Sequence, residues 1–377
     1  MKKIIVLGAG LVGKAIAADL SKAFEVTVSD VNVKALNQLK SEFKLKILPC
    51  DFKNDKALAK ILKPFDLVVV AVPGFLGFKV RKTIIEAGKN VVDISFFPED
   101  PFKLDQLAKK KNVTAVVDCG VAPGMCNILL GYHSQLMKVT RYECLVGGLP
   151  VKREWPFEYK AVFSPIDVIE EYVRPARYVE NGKEIVKEAL TDIEEITFPK
   201  IGKLEAFNTD GLRSIAQTHS YIPNMKEKTM RYPGHAALMK IFRETGFFGK
   251  EKIDLKGLTI SPLDLTSRLF FQKWKMEKGE EDFTIMRVIL DGIEKDKPLS
   301  YVYTLLDKFD KKSNTTSMAK TTGYTCTAVA NLVADKKFSR KGICPPEFVG
   351  EDAGCFNYIV SYLEKRGVFY QKEVISL

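Results

Sequence analysis

Histidine is scarce in this chain and paired cysteines are absent. Only three histidines (His133, His219, His235) stand in 377 residues. None is spaced to another histidine or to a cysteine as zinc ligands are, so no metal site is expected. The seven cysteines (Cys50, Cys119, Cys126, Cys144, Cys326, Cys344, Cys355) form no Cys-x-x-Cys pair. An odd count without a secretory signal points to reduced thiols in a cytoplasmic protein. Low-complexity tracts, proline-rich linkers and repeats of about 20–50 residues are missing, which excludes a solenoid or a disordered arm. No run of about 18 apolar residues occurs, so no membrane span is expected.

Acidic residues are the minority charge: 47 Asp and Glu against 58 Lys and Arg, a net charge of +11. Such a balance favours anionic partners. The lysines are dispersed, however, and the densest runs, Lys109-Lys110-Lys111 and Lys311-Lys312, fall where helices or loops should end. A solvated surface accounts for them better than a nucleic-acid groove.

What is present is an ordinary globular composition at a length that suggests two domains. Over residues 3–130, short β-rich runs alternate with amphipathic stretches long enough for crossover helices. The expected strands are Ile4–Leu7, Val26–Ser29, Lys46–Leu48, Leu67–Val72, Val91–Ile94 and Thr114–Val117. Continuous apolar runs such as Leu67–Val72 suit strands buried on both faces, so the pattern predicts a doubly wound parallel sheet of α/β class. Lys2-Lys3, an apolar stretch and Ala15–Ala18 mimic a signal peptide. Lys14 interrupts the apolar region, and the same residues fit a strand, turn and helix better.

Near residue 130 the pattern changes. Strand-like segments Tyr142–Val146, Glu195–Phe198, Phe283–Leu290 and Leu299–Leu305 follow one another with fewer helices, and turns are signalled at Glu180–Lys183 and Lys278-Gly279. These features predict an α+β domain with an antiparallel or mixed sheet. Thr321–Ala334 and Phe356–Arg366 read as helices.

The most specific motif lies at the start. Ile4–Leu7 precedes Gly8-Ala9-Gly10-Leu11-Val12-Gly13, and Lys14–Ala23 reads as a helix. In a dinucleotide fingerprint the first glycine permits a tight turn, the second lets backbone approach the pyrophosphate, and the third lets helix and strand pack closely. Free amides at the helix start, with Leu11 and Val12 among them, then stabilise phosphate charge. Asp30 closes the second strand where a carboxylate grips the adenosine ribose hydroxyls. It would repel a 2′-phosphate, and the nearest cation after it is Lys34, so NAD is expected over NADP. Asp51, Val72-Pro73, Asp93 and Asp118 end the later strands, the ligand side of such sheets. For Asp51 and Asp93 a local cap is an equal alternative.

Further segments carry a family resemblance: Asp118–Met125 (DCGVAPGM), Gly147–Pro150 (GGLP) with Phe157–Lys160 (FEYK), and Met230–His235 (MRYPGH). With the fingerprint, this set resembles the saccharopine dehydrogenase/reductase family across essentially the whole chain. Val72–Lys79 and Asp210–Ser214 add a likeness to its lysine 6-dehydrogenase branch. The resemblance implies an N-terminal Rossmann domain (1–130) completed by C-terminal helices (320–377), and a central α+β domain (131–319) for substrate binding and dimerisation. It also implies NAD-dependent oxidative deamination of the ε-amino group of L-lysine. The products would be ammonia and 2-aminoadipate semialdehyde, which cyclises to piperideine-6-carboxylate. Arg231 would hold a substrate carboxylate, since its planar fork binds one bidentately; a structural ion pair is the alternative.

His235 is open to two readings, a proton carrier or a satisfied core group. Tyr159 and Asp210 either reach the same cleft or stabilise the fold. Asp93 or Asp118 would attract the substrate ammonium and collect its proton. Saccharopine reducers carry Asp where this chain has Ala122, which sets saccharopine second. A non-catalytic NAD-binding protein is a third reading. The implied partners are a small amino acid (lysine or a derivative) and further copies of the chain, with neither nucleic acid nor membrane.

Overall fold

The structure is a computed structural model that describes residues 1–161, 164–277 and 279–377. The chain divides into two compact units, one of Met1–Leu136 with Met318–Phe369 and one of Met137–Ser317 with Tyr370–Leu377.

The first unit alternates strand and helix: β1 (Lys3–Leu7), α1 (Leu11–Leu20), β2 (Glu25–Asp30), α2 (Val33–Phe43), β3 (Lys46–Pro49), α3 (Asp55–Leu62) and β4 (Leu67–Val70). It continues through α4 (Gly74–Glu86), β5 (Asn90–Asp93), α5 (Asp105–Lys110), β6 (Thr114–Val116) and α6 (Met125–Ser134). The expected Leu67–Val72 strand stops at Val70, because the chain leaves the sheet at Ala71 to enter α4 through Pro73.

The second unit holds β7 (Lys138–Pro150), α7 (Pro165–Val173), β8 (Ala176–Glu180), β9 (Lys183–Lys187), β10 (Glu194–Phe198) and β11 (Gly202–Asn208). After them come α8 (Ile215–Thr218), β12 (Asn224–Arg231), α9 (His235–Glu244), β13 (Ile253–Leu255), β14 (Leu258–Ile260), α10 (Pro262–Trp274), β15 (Asp282–Glu294) and β16 (Lys297–Lys308). The chain then returns to the first unit with α11 (Ser317–Ala334), β17 (Gly342–Cys344), α12 (Pro346–Gly350) and α13 (Ala353–Glu364), and ends with β18 (Tyr370–Ser376).

In the first unit all strand pairs are parallel, in the order β17-β6-β5-β4-β1-β2-β3. The order reverses between β1 and β4, the switch point outside which doubly wound sheets bind ligands. Buried Ile5, Leu7, Val68, Val70, Val91 and Ala115 pack one sheet face against residues of α3, α4 and α5. The C-terminal helices are tied to α1 through Asp19, which accepts hydrogen bonds from Thr327 (2.8 Å), Tyr362 (2.6 Å) and Arg366 (2.9 Å). Burial opposes that charge, but Tyr362, Arg366 and Thr327 outweigh it and lower the carboxyl pKa.

The second unit has a mixed sheet with the path β10-β11-β12-β7-β15-β16-β18, in which only β12 and β7 run parallel. The signalled turn at Glu180–Lys183 is a tight hairpin between β8 and β9, with Asn181 and Gly182 at φ 51° and 76°. This is the conformation that Asn-Gly favours. Lys278 of the other signalled turn lies outside the described residues. The segment after Phe369, expected among the helices of the first unit, is instead a strand of this sheet, because its residues pair in register with β16.

Candidate active site

At the mouth of the first unit the three fingerprint glycines have separate tasks. Gly8 sits at φ +115°, and a Cβ there would lie 2.2 Å from the Ala71 carbonyl oxygen; one on Gly13 would lie 2.2 Å from that of Gly8. A Cβ on Gly10 would meet nothing within 4 Å. The first and third glycines therefore close the strand–turn–helix, and the middle one leaves its approach clear. Helix α1 starts at Leu11 with no side-chain cap and no acid in its first turn. Its leading amides are thus available to an anion, and the cradle fits a dinucleotide pyrophosphate. Asp30 lies beside them: Oδ2 accepts from the Ala9 amide (2.7 Å) and Oδ1 from the Asn32 amide (2.8 Å). One half-buried carboxylate therefore anchors the glycine loop.

The other strand-end residues divide. Asp51 is exposed and accepts from the Lys53 amide at 2.9 Å, shaping a turn before α3. Pro73 caps α4, with Val72 buried before it. Asp93 is fully buried: Oδ1 accepts from the Ser95 amide (2.7 Å), and Oδ2 lies 3.5 Å from Arg81 Nε, itself fully buried against the Phe97 ring. Burial raises the Asp93 pKa against the opposing pull of Arg81. Asp93, one of the two acids expected to collect a substrate proton, thus faces Arg81 in the interior. Asp118 is buried at φ 52° after β6, on the strand next to Asp93. The following segment is a closed turn, in which a Cβ on Gly124 would fall 2.0 Å from the Gly120 oxygen. Cys119 and Cys126 are buried, and burial raises the Cys119 thiol pKa, which disfavours its thiolate.

In the second unit a polar cluster forms where β12 ends. Gly147 brings β7 so close that a Cβ would lie 2.7 Å from the Met230 oxygen. Gly234, at φ +95°, turns the chain into α9, and Glu205 accepts the Gly234 and Ala236 amides at 2.9 and 2.5 Å. Arg231 before this turn and His235 after it both lie against the Tyr159 ring. Arg231 lies 4.5 Å over the Tyr159 ring, donates from Nη1 to the Met230 oxygen (3.0 Å) and from Nη2 to Glu171 (2.7 Å). Burial works against its charge, but Tyr172, Tyr159 and Glu171 outweigh it and raise the pKa. Glu171 moves upward through burial, opposed by Arg231. Burial also raises both tyrosine hydroxyls, Tyr172 to about 12.

His235 is engaged at both ring nitrogens: Nδ1 lies 2.9 Å from the Phe157 carbonyl and Nε2 2.9 Å from the Tyr172 hydroxyl. A carbonyl only accepts, so Nδ1 carries the proton and Tyr172 donates to Nε2. Burial and the nearby Arg231 charge lower its pKa to about 3. Of the two readings, the geometry fits His235 as a neutral, satisfied core group. Asp210 likewise stabilises the fold, pairing with Arg177 at 2.9 and 3.1 Å. Glu171 and Tyr172 escaped sequence reasoning, since Ile169-Glu170-Glu171-Tyr172 reads as part of an amphipathic helix with no motif. Only the fold brings Glu171 to Arg231, 60 residues along the chain.

No helix among the described residues is long and apolar enough to cross a membrane. Residues 4–116 match the family described as Saccharopine dehydrogenase NADP binding domain, and residues 120–368 match Saccharopine dehydrogenase C-terminal domain. The mitochondrial alpha-aminoadipic semialdehyde synthase of Mus musculus is 26% identical over 271 residues, covering 66% of this chain and 29% of that protein. The chain thus spans under a third of that relative. The saccharopine dehydrogenase (NADP(+), L-glutamate-forming) of Schizosaccharomyces pombe is 22% identical, with both chains covered in full. The solved apo saccharopine dehydrogenase (L-Glu forming) from Saccharomyces cerevisiae aligns over 100% of both chains at 19% identity and a TM-score of 0.79, and so has the same fold.

Proposed function

The chain belongs to the saccharopine dehydrogenase family, and from that premise we propose that it is an NAD-dependent dehydrogenase removing the ε-amine of L-lysine. The observation that carries this reading is the uncapped α1 mouth, clear at Gly10, with Asp30 beside it. Gly8, Gly10, Leu11, Val12, Gly13 and Asp30 would hold the dinucleotide, with Asp51, Val72 and Pro73 flanking it. The Asp30 carboxylate favours a free 2′-hydroxyl over a 2′-phosphate. Bound there, the nicotinamide ring supplies a hydride acceptor for the carbon bearing nitrogen.

The chain's own residues orient substrate and take a proton. Arg231 holds the substrate carboxylate, with Tyr159 beneath the guanidinium. The ε-ammonium must lose a proton before its lone pair can support an imine. With Asp93 bound to Arg81 and His235 neutral, Asp118 is the acid proposed to receive it. Water then releases ammonia and leaves the semialdehyde. The seven free thiols fit a reducing, cytoplasmic setting. A homo-oligomer is supported by the hairpin β13–β14, a separate two-stranded sheet exposing Leu255 and Leu258, followed by the exposed Leu265 and Leu269 of α10. Such a hairpin is marginal alone and is stabilised by further packing.

The second reading is a saccharopine-type dehydrogenase using NADP. It is favoured by the match to an NADP binding domain and by the NADP-dependent relatives. Crossing two amino acids with two cofactors in one spectrophotometric assay separates them. NADH and ammonia from L-lysine alone are expected. Reduction only with saccharopine would overturn the first reading, and tight NAD binding without turnover of either substrate would indicate a non-catalytic protein.

A further inference from the structure

The Arg231–Glu171 pair is incompletely satisfied, and its open valences form a pattern. Arg231 keeps 4% of its side chain exposed and Glu171 20%. Two of the three guanidinium nitrogens are used, while the buried Nε has no hydrogen-bond partner among the described residues. Glu171 bonds Arg231 through Oε2; its other oxygen has no partner among the described residues. Nε is enclosed, so the valence that the pair offers outward is the second Glu171 oxygen, on a side chain 20% exposed beside the guanidinium. A free carboxylate acceptor beside a guanidinium complements an ammonium and a carboxylate on one carbon, the head group of an α-amino acid.

The support behind the pair is rigid. Glu171 precedes Tyr172, whose hydroxyl donates to His235 Nε2, and His235 is pinned in turn to the Phe157 carbonyl. Arg231 is the last residue of β12, held over Tyr159. We propose that Glu171 is the specificity-determining residue of this site: it accepts the α-ammonium of the amino acid whose α-carboxylate lies on Arg231. This assignment rests on the reading of the protein as an amino-acid dehydrogenase, and it adds a residue to which no part of that reading had given a role.

The test compares L-lysine with 6-aminohexanoate, which keeps the reacting amine and the carboxylate but lacks the α-amine. With saturating cofactor, Glu171→Gln is expected to lower kcat/KM for L-lysine about 10–100-fold, the size of one lost charged hydrogen bond. The value for 6-aminohexanoate should fall no more than about 3-fold and KM for the cofactor should stay unchanged, so the preference for lysine collapses; Glu171→Asp should restore part of it. Equal losses for both substrates would make Glu171 a mere neutraliser of Arg231 and overturn the proposal. If L-lysine is not oxidised at all, the reaction assignment fails separately. The same ratio is then read by calorimetric binding of both compounds to the protein with cofactor. Loss of lysine binding alone in Glu171→Gln supports the head-group role; equal binding of the two compounds to the unaltered protein, or binding of neither, overturns it.

Discussion

Gly10 and Gly13 are three residues apart and lack a side chain for opposite reasons. A methyl on Gly13 would drive into the Gly8 carbonyl, whereas a methyl on Gly10, at φ −71°, meets nothing. Gly10→Ala should therefore fold with a melting temperature close to that of the parent, while dinucleotide affinity falls about tenfold or more because the methyl stands in the pyrophosphate's approach. Titration of NADH fluorescence beside thermal melting checks this; unchanged affinity would remove the loop from cofactor binding. Two of the three buried histidines give a prediction of a different kind. Burial lowers His219 to about 4 and His235 to about 3, while an unfolded histidine titrates near 6.5. The unfolded chain thus binds more protons between those values. The stability that neutral histidine contributes is complete above about pH 6.5 and is lost as pH falls toward 4 and 3. At pH 5 the loss is about 2 kcal/mol per histidine. Denaturant midpoints at pH 7.5 and 5 should differ accordingly, and His219→Gln should remove about half of the histidine contribution; an unaltered pH slope in that variant would contradict it.

Elements were legible where a single local rule decides them. The apolar run Leu67-Val68-Val69-Val70 announces a strand buried on both faces, and the fingerprint fixes β1, its turn and α1 together. The strands of the second unit were located but cut short: β7 runs over Lys138–Pro150 and β15 over Asp282–Glu294, well past the expected Tyr142–Val146 and Phe283–Leu290. Their ends carry glycine, proline and charge, as in Gly147–Pro150 and Asp291–Glu294, and are strand because the two pair with each other. The three-residue β17 had no signal of its own; it is a strand because β6 lies beside it. The Arg231–Glu171 contact was illegible for the same reason, since nothing local relates α7 to β12. Contacts between elements also explain two glycines that match no motif. In the crossing of α6 and α12, a Cβ on Gly131 would lie 2.0 Å from the Glu347 oxygen, and one on Gly350 2.2 Å from that of Ile128. Both obstacles are backbone and cannot rotate away. Gly131→Ala should destabilise the first unit by about 1–3 kcal/mol, read as a lower thermal midpoint with bound NADH as reporter, and an unchanged midpoint would show that the crossing relaxes at no cost.

On the scale of the whole chain, the two units are interleaved along the sequence. The chain leaves the first at Leu136, returns at Met318, and leaves again after Phe369 to add β18 to the second sheet. That last strand pairs with β16 from Leu299–Ser376 to Leu305–Tyr370, and Lys372 lies 4.4 Å over the Tyr301 ring. Every strand of the parallel sheet, and every residue proposed to hold the dinucleotide, precedes it. Removing residues 370–377 should therefore separate the two properties. The long strand β16 would become an unprotected edge, with Tyr301 and Tyr303 uncovered, at a cost of about 2–4 kcal/mol. Both tryptophans, Trp155 and Trp274, belong to the second unit, and Trp274 is buried among Phe157, Tyr159 and Phe270. Their fluorescence thus follows that unit alone. The truncated chain should show a lower denaturant midpoint by tryptophan emission and a greater tendency to self-associate, with the dissociation constant for NADH unchanged. An unshifted midpoint would mean that β18 contributes nothing to its sheet, and a lost affinity for NADH would mean that the dinucleotide site depends on residues beyond the parallel sheet.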